Sequence, residues 1–108
     1  KIVYGGKPLS ETLFMPTVMI NVPRHSRVCA QEAFAPIIFI NPYETTQEAL
    51  ELVNDSDYGL QIGVFTNNLK TAWEFIKGAE VGGVIINDIP TFRADNMPYG
   101  GVKYSGIG

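Results

Sequence analysis

Hydrophobic and polar positions sort the chain into short apolar runs and amphipathic stretches. Residues 12–22, TLFMPTVMINV, are dense in β-branched and aromatic side chains and read as a strand. Pro16 interrupts this run, so the pattern predicts an edge strand or a bent one, and Pro23 ends it. Residues 36–43, PIIFINPY, are a continuous apolar run between prolines, the pattern of a strand covered on both faces. ETTQEALELVNDSD follows at 44–57. Thr45 with Glu48 three residues later forms a capping box, which satisfies two orphan backbone donors at a helix start. Ala49, Leu52 and Val53 then share one face at helical spacing. The polar cluster NDSDYG ends that helix. QIGVFTNN at 61–68 predicts another short strand, with Asn68 as the N-cap of a second helix. In this second helix Leu69, Ala72, Trp73 and Ile76 form an apolar stripe, and Lys77 suits the negative end of the helix dipole. Gly78 and then Gly82-Gly83 stop it, and VIIN at 84–87 reads as a third buried strand.

From Pro36 onward the order is β-α-β-α-β. Alternation of this kind predicts the α/β class with a mostly parallel sheet. Ligands of such sheets sit beyond the carboxyl ends of the strands, so the segment after VIIN is a favoured place for a site. There is no internal repeat and no low-complexity tract.

Composition narrows the function classes. The 108 residues suit one domain or a piece of one. At 45% hydrophobic and 18% charged the chain reads as globular rather than disordered. A net charge of −3 with scattered basic residues does not favour nucleic acid. The apolar runs are too brief to span a bilayer, and no signal segment opens the chain. A single cysteine excludes an internal disulfide and a cysteine-built zinc site, which favours a reducing, cytoplasmic setting. The start at Lys1 and the glycine-rich close KYSGIG raise the expectation of a fragment of a longer protein.

Few residues can carry chemistry. Cys29 in RVCAQEAFAPI lies four residues from His25 and two from Arg27, so it reads either as a small buried hydrophobe or as an activated thiol. A metal site from His25, Cys29 and Glu32 lacks the second His or Cys that would complete it. Glu32 is either a solvated turn residue or a carboxylate that accepts from ribose hydroxyls. Phe34, by composition, defaults to the core. The tail NMPYGGVKYSGIG lacks the order of a phosphate loop. Its glycines either approach a ligand or serve a loop that needs positive φ. Arg93 in PTFRAD is either a surface charge paired with Asp95 or an anion-binding group.

Three segments, in order, resemble motifs of the aldehyde dehydrogenase superfamily. QEAFAPI (31–37) is similar to the family's Glu-Glu-Ile-Phe-Gly-Pro segment. VNDSDYGLQIGVFTNNLKTA (53–72) is similar to its Asn-x-x-x-Tyr-Gly-Leu stretch, which runs into a Val-Phe-Thr strand and a helix. VGGVIIND (81–88) and MPYGGVKYSGIG (97–108) resemble its Gly-x-Val-x-x-Asn and Pro-Phe-Gly-Gly-x-Lys-x-Ser-Gly-x-Gly ending. Gln31, Ala33, Ala35 and Tyr99 depart from the pattern, while the matched Glu32 and Phe34 are kept.

The resemblance implies that residues 1–108 are a carboxyl-terminal segment of an aldehyde dehydrogenase catalytic domain. The nucleophile segment, the cofactor domain and the intersubunit strand would then lie elsewhere in the parent. It implies cofactor-binding roles for Glu32, on the nicotinamide ribose, and for Phe34, packed against that end of NAD or NADP. Residues 89–97 would wall the aldehyde entrance, with Phe92 as an apolar wall and Arg93 facing an aldehyde that carries a carboxylate or phosphate. The implied chemistry is thiolate attack to a thiohemiacetal, hydride transfer to NAD or NADP, and hydrolysis of a thioester. No residue of this chain is expected to be catalytic. The expected partners are a small-molecule aldehyde, the rest of the parent chain and further copies in a homo-oligomer. The competing expectation is a free-standing α/β ligand-binding or interaction module.

Overall fold

Three strands, β1 (Ile2–Tyr4), β2 (Thr17–Ile20) and β3 (Ile37–Ile40), form one sheet in the order β1-β2-β3. They belong to the first of two compact units, Lys1–Tyr43 and Glu44–Gly108, in a computed structural model that describes residues 1–108. β2 runs antiparallel to β1 and parallel to β3, with Thr17 opposite Ile37 and Ile20 opposite Ile40. β2 is therefore the central strand, not the edge or bent strand that Pro16 suggested. Pro16 lies just outside the ladder, so its missing N–H removes no rung. The first rung is made by Thr17, whose N–H donates to Pro36 O at 2.8 Å. The Thr17 hydroxyl accepts from Gly6 N at 2.9 Å and donates to Met15 O at 3.0 Å, which satisfies the unit's buried polar side chain. Gly5 has φ of +71°, and a Cβ there would sit 2.0 Å from Pro16 O, so only glycine fits this turn.

A single helical turn, α1 (Arg27–Ala30), lies on the crossover from β2 to β3. Asn41 clips the crossover to the end of β3. Its Oδ1 accepts from Val22 N at 2.8 Å and its Nδ2 donates to Val22 O at 3.1 Å, mimicking two further rungs. The expected covering of β3 on both faces is absent within these residues. Ile38, Phe39 and Ile40 are 59%, 43% and 56% exposed, and successive strand side chains point to opposite faces.

The second unit holds α2 (Thr46–Asn54), β4 (Tyr58–Gly59), β5 (Gln61–Val64), α3 (Leu69–Gly78), β6 (Gly83–Ile86) and β7 (Val102–Lys103). The capping box forms: Glu48 N donates to Thr45 Oγ1 at 3.1 Å, and the Glu48 carboxylate accepts from Glu44 N at 2.7 Å. Asn68 caps α3 as expected, accepting from Lys70 N and Thr71 N. β5 and β6 pair in parallel on either side of α3, and α3 packs on α2 and on β6. The buried side chains of α3 are Ala72 and Phe75; Trp73 is half exposed and Leu69 more so. The apolar arc of this helix is wider than one packing face, which is why periodicity marked Leu69, Trp73 and Ile76 and passed over Phe75.

The α/β class and the parallel pairing hold, but the strands divide among three ladders. β3 pairs with β2, β5 with β6, and β4 with β7 in antiparallel register. No helix is long and apolar enough to cross a membrane.

Candidate functional site

The loop before β3 presents Glu32 and Phe34. The helical turn α1 closes with Gln31 N donating to Arg27 O at 2.9 Å, and Arg27 Nε donates to Gln31 Oε1 at 3.2 Å. The nearby guanidinium is thus directed to Gln31. The Glu32 carboxylate makes no hydrogen bond or ion pair within the chain. Two tight turns follow, Ala35 N to Ala33 O at 2.9 Å and Ile37 N to Ala35 O at 2.7 Å. They fold the backbone around Phe34 and leave its side chain 94% exposed. The expectation that Phe34 belongs to the core is overturned, because the loop's hydrogen bonds are local and turn the ring outward. A free carboxylate and a bare aromatic face lie two residues apart on one loop.

Cys29 is half-buried in α1, where its N–H donates to Ser26 O at 2.9 Å. Nothing joins its thiol to His25 or Glu32.

In the second unit Asn87 ends β6 at φ of +59°, a left-handed conformation that asparagine tolerates. Its Oδ1 accepts from Thr66 N at 2.8 Å, and its N–H donates to Val64 O at 2.9 Å. These bonds tie together the carboxyl ends of β5 and β6. The chain then turns back along β5. Gly63 leaves room for this, since a Cβ there would lie 2.4 Å from Asp88 O. Phe92 O accepts from Gln61 Nε2 at 2.9 Å, and Gln61 is the first residue of β5. Asp88 therefore stands at the carboxyl end, whereas Phe92 is tethered at the amino end. The simple strand-end expectation for residues after VIIN does not place Phe92 and Arg93.

Arg93 is not paired with Asp95. Its guanidinium carbon lies 4.4 Å from the centroid of the Tyr99 ring. Beyond Tyr99 the glycine-rich tail serves the chain's own backbone. A Cβ on Gly82 would lie 1.7 Å from Gly100 O, and one on Gly101 would lie 2.5 Å from the Ser105 side chain. Lys103 Nζ donates to Asn54 O at 2.7 Å and Ser56 O at 2.9 Å, and pairs with Glu80 at 2.8 Å. No periodic signal marks these long-range ties, nor Tyr99 as the partner of Arg93.

The first unit carries a loop with a free carboxylate next to an exposed ring, and the second a parallel β-α-β unit and a returning loop with a stacked arginine, all within the α/β class. The chain belongs to the aldehyde dehydrogenase family, whose model matches residues 1–108. It is 48% identical over 108 residues to a 3-sulfolactaldehyde dehydrogenase of Priestia megaterium, matching all of this chain and 22% of that protein. Among solved structures it is similar to aldehyde dehydrogenase 21 of Physcomitrella patens in complex with the reaction product succinate. The TM-score is 0.94 and the identity 40%, over 99% of this chain and 22% of that one. It is also similar to glyceraldehyde-3-phosphate dehydrogenase GapN of Methanocaldococcus jannaschii complexed with NADP. Here the TM-score is 0.88 and the identity 42%, over 100% of this chain and 23% of that one. The chain spans 22% of the length of the Priestia relative.

Proposed function

We propose that this chain is a carboxyl-terminal segment of the catalytic domain of an NAD- or NADP-dependent aldehyde dehydrogenase. It supplies part of the nicotinamide-ribose grip and part of the aldehyde entrance. The observation that carries the reading is the pairing of an unengaged Glu32 carboxylate with a Phe34 ring that is 94% exposed. Leaving a phenylalanine in water forgoes about 1.5–3 kcal/mol of burial, which favours an occupant for that ring. The residues fit the cofactor: a carboxylate accepts from the two hydroxyls of a ribose, and an aromatic face packs on a flat ring. When bound, the nicotinamide supplies the hydride acceptor. Glu32 orients the ribose, and Phe34 fixes the ring and excludes water from its back. Neither exchanges a proton with substrate. The thiolate that attacks the aldehyde and the base that activates water belong to the rest of the parent chain.

The apolar surface supports a larger parent. Ile38, Phe39 and Ile40 leave both faces of β3 bare.

For substrate class we favour an aldehyde bearing an anionic group. Sulfolactaldehyde, glyceraldehyde 3-phosphate and succinate, named with the relatives, carry a sulfonate, a phosphate and carboxylates. Arg93 has no ion-pair partner in the chain and suits such a group, with Phe92, 48% exposed, as the apolar wall beside it. The full-length parent, given NAD or NADP and matched panels of anionic and neutral aldehydes, is expected to form reduced nicotinamide most efficiently with the anionic set. No turnover with any aldehyde would overturn the dehydrogenase reading. Preference for the neutral set would remove Arg93 from the substrate site.

A further inference from the structure

A cation over an aromatic face is held by the ring's quadrupole, and the ring takes none of its N–H groups in an ordinary hydrogen bond. Arg93 is in that position over Tyr99, at 4.4 Å, and spends no donor on any other group of the chain. Both partners rest on pinned backbone. Phe92 O, adjacent to Arg93, accepts from Gln61 Nε2 at 2.9 Å, and Met97 N donates to Ala94 O at 2.9 Å, closing a turn just after it. Next to Tyr99, the Gly100 carbonyl lies so close to Gly82 that a Cβ on Gly82 would be 1.7 Å from it. Tyr99 O is similarly close to Gly108, where a Cβ would lie 2.8 Å away. The ring is thus presented from a fixed point on the β5–β6 frame. A free arginine side chain samples many rotamers and loses that freedom when it is immobilised.

We propose that Tyr99 is a positioning residue for substrate selection. It holds the Arg93 guanidinium in place before the aldehyde arrives, with all of its N–H donors available to a carboxylate, sulfonate or phosphate. The ring face does this work, so phenylalanine serves equally well and an aliphatic side chain does not. This inference rests on the reading of Arg93 as the anion-binding group.

The test uses the full-length parent and two aldehydes of equal length, succinate semialdehyde and butanal. Tyr99→Leu is expected to raise KM for succinate semialdehyde about 2- to 30-fold, the range of a cation–π contact. KM for butanal, and kcat for both, are expected to stay at the parent values. Tyr99→Phe restores parent behaviour, and Arg93→Met/Tyr99→Leu is no worse than Arg93→Met alone. If Arg93→Met raises KM for the semialdehyde only, while Tyr99→Leu changes neither KM or raises both equally, the positioning role is overturned and the Arg93 reading stands. If Arg93→Met affects both aldehydes equally or neither, the anion-binding reading falls and the role of Tyr99 falls with it.

Discussion

Lys103 reaches across from β7 to Glu80, Nζ to Oε2 at 2.8 Å, and the same ammonium caps the end of α2 through Asn54 O and Ser56 O. Asn54 answers from the other side. Its Nδ2 donates to Gly78 O at 2.8 Å, and its Oδ1 accepts from Glu80 N at 2.8 Å. The ends of α2 and α3 and the strand β7 are thereby joined at one point, and the loop carrying Phe92, Arg93 and Tyr99 leads into β7.

The two kinds of contact at this point differ in worth. Asn54 makes two neutral hydrogen bonds to backbone, and the one to Gly78 O is part-buried, where leaving a group unsatisfied costs about 1–3 kcal/mol. Glu80 is more than half exposed, and an exposed ion pair contributes about 0–1 kcal/mol. In the parent, Asn54→Ala is expected to lower the thermal unfolding midpoint clearly more than Glu80→Gln does. A larger loss from Glu80→Gln would show that the ion pair, and not the amide, carries the junction.

Cys29→Ser in the parent is expected to leave kcat essentially unchanged. The thiol is half-buried in a single helical turn and joined to neither His25 nor Glu32. Deleting a true nucleophile costs on the order of a millionfold. Steady-state turnover with a saturating aldehyde separates the two outcomes, and a loss on that scale would make Cys29 the reacting thiol.

The isolated 108-residue chain is expected to show no aldehyde-dependent formation of reduced nicotinamide and to bind a hydrophobic dye strongly. The first follows from the nucleophile and base proposed to lie in the rest of the parent, the second from exposed apolar side chains such as Ile38, Phe39 and Ile40. Sustained turnover by the isolated chain would contradict the division of labour proposed for the parent.

Features written in short windows were legible in the sequence. The capping box of Thr45 and Glu48, the Asn68 cap and the strands around IIFI, QIGV and VII all form, because each depends on residues within a few positions of one another. The family motifs were likewise legible as contiguous strings. What escaped depends on partners far apart in the chain. β7 has only two residues and exists through its pairing with Tyr58 and Gly59. The backward path of the loop after Asn87 depends on a glycine in β5, at position 63. The contact of Arg93 with Tyr99 spans a turn with no periodic signal. Phe34 misled because composition treats an aromatic residue as core, and only the local turns of its loop turn it outward.

Glu32 is the residue through which this chain is proposed to grip the cofactor, while the reacting groups lie elsewhere in the parent. Hydride transfer followed in a single turnover of full-length Glu32→Gln is the decisive measurement. Hydrogen bonds to a charged acceptor are worth about 1.5–3 kcal/mol, which corresponds to roughly a 10- to 150-fold effect. Glu32→Gln is expected to raise the cofactor KM or slow hydride transfer within that range, with KM for the aldehyde nearly unchanged. Parent values for both the cofactor KM and the hydride-transfer rate would make Glu32 a surface turn residue with no part in gripping the cofactor.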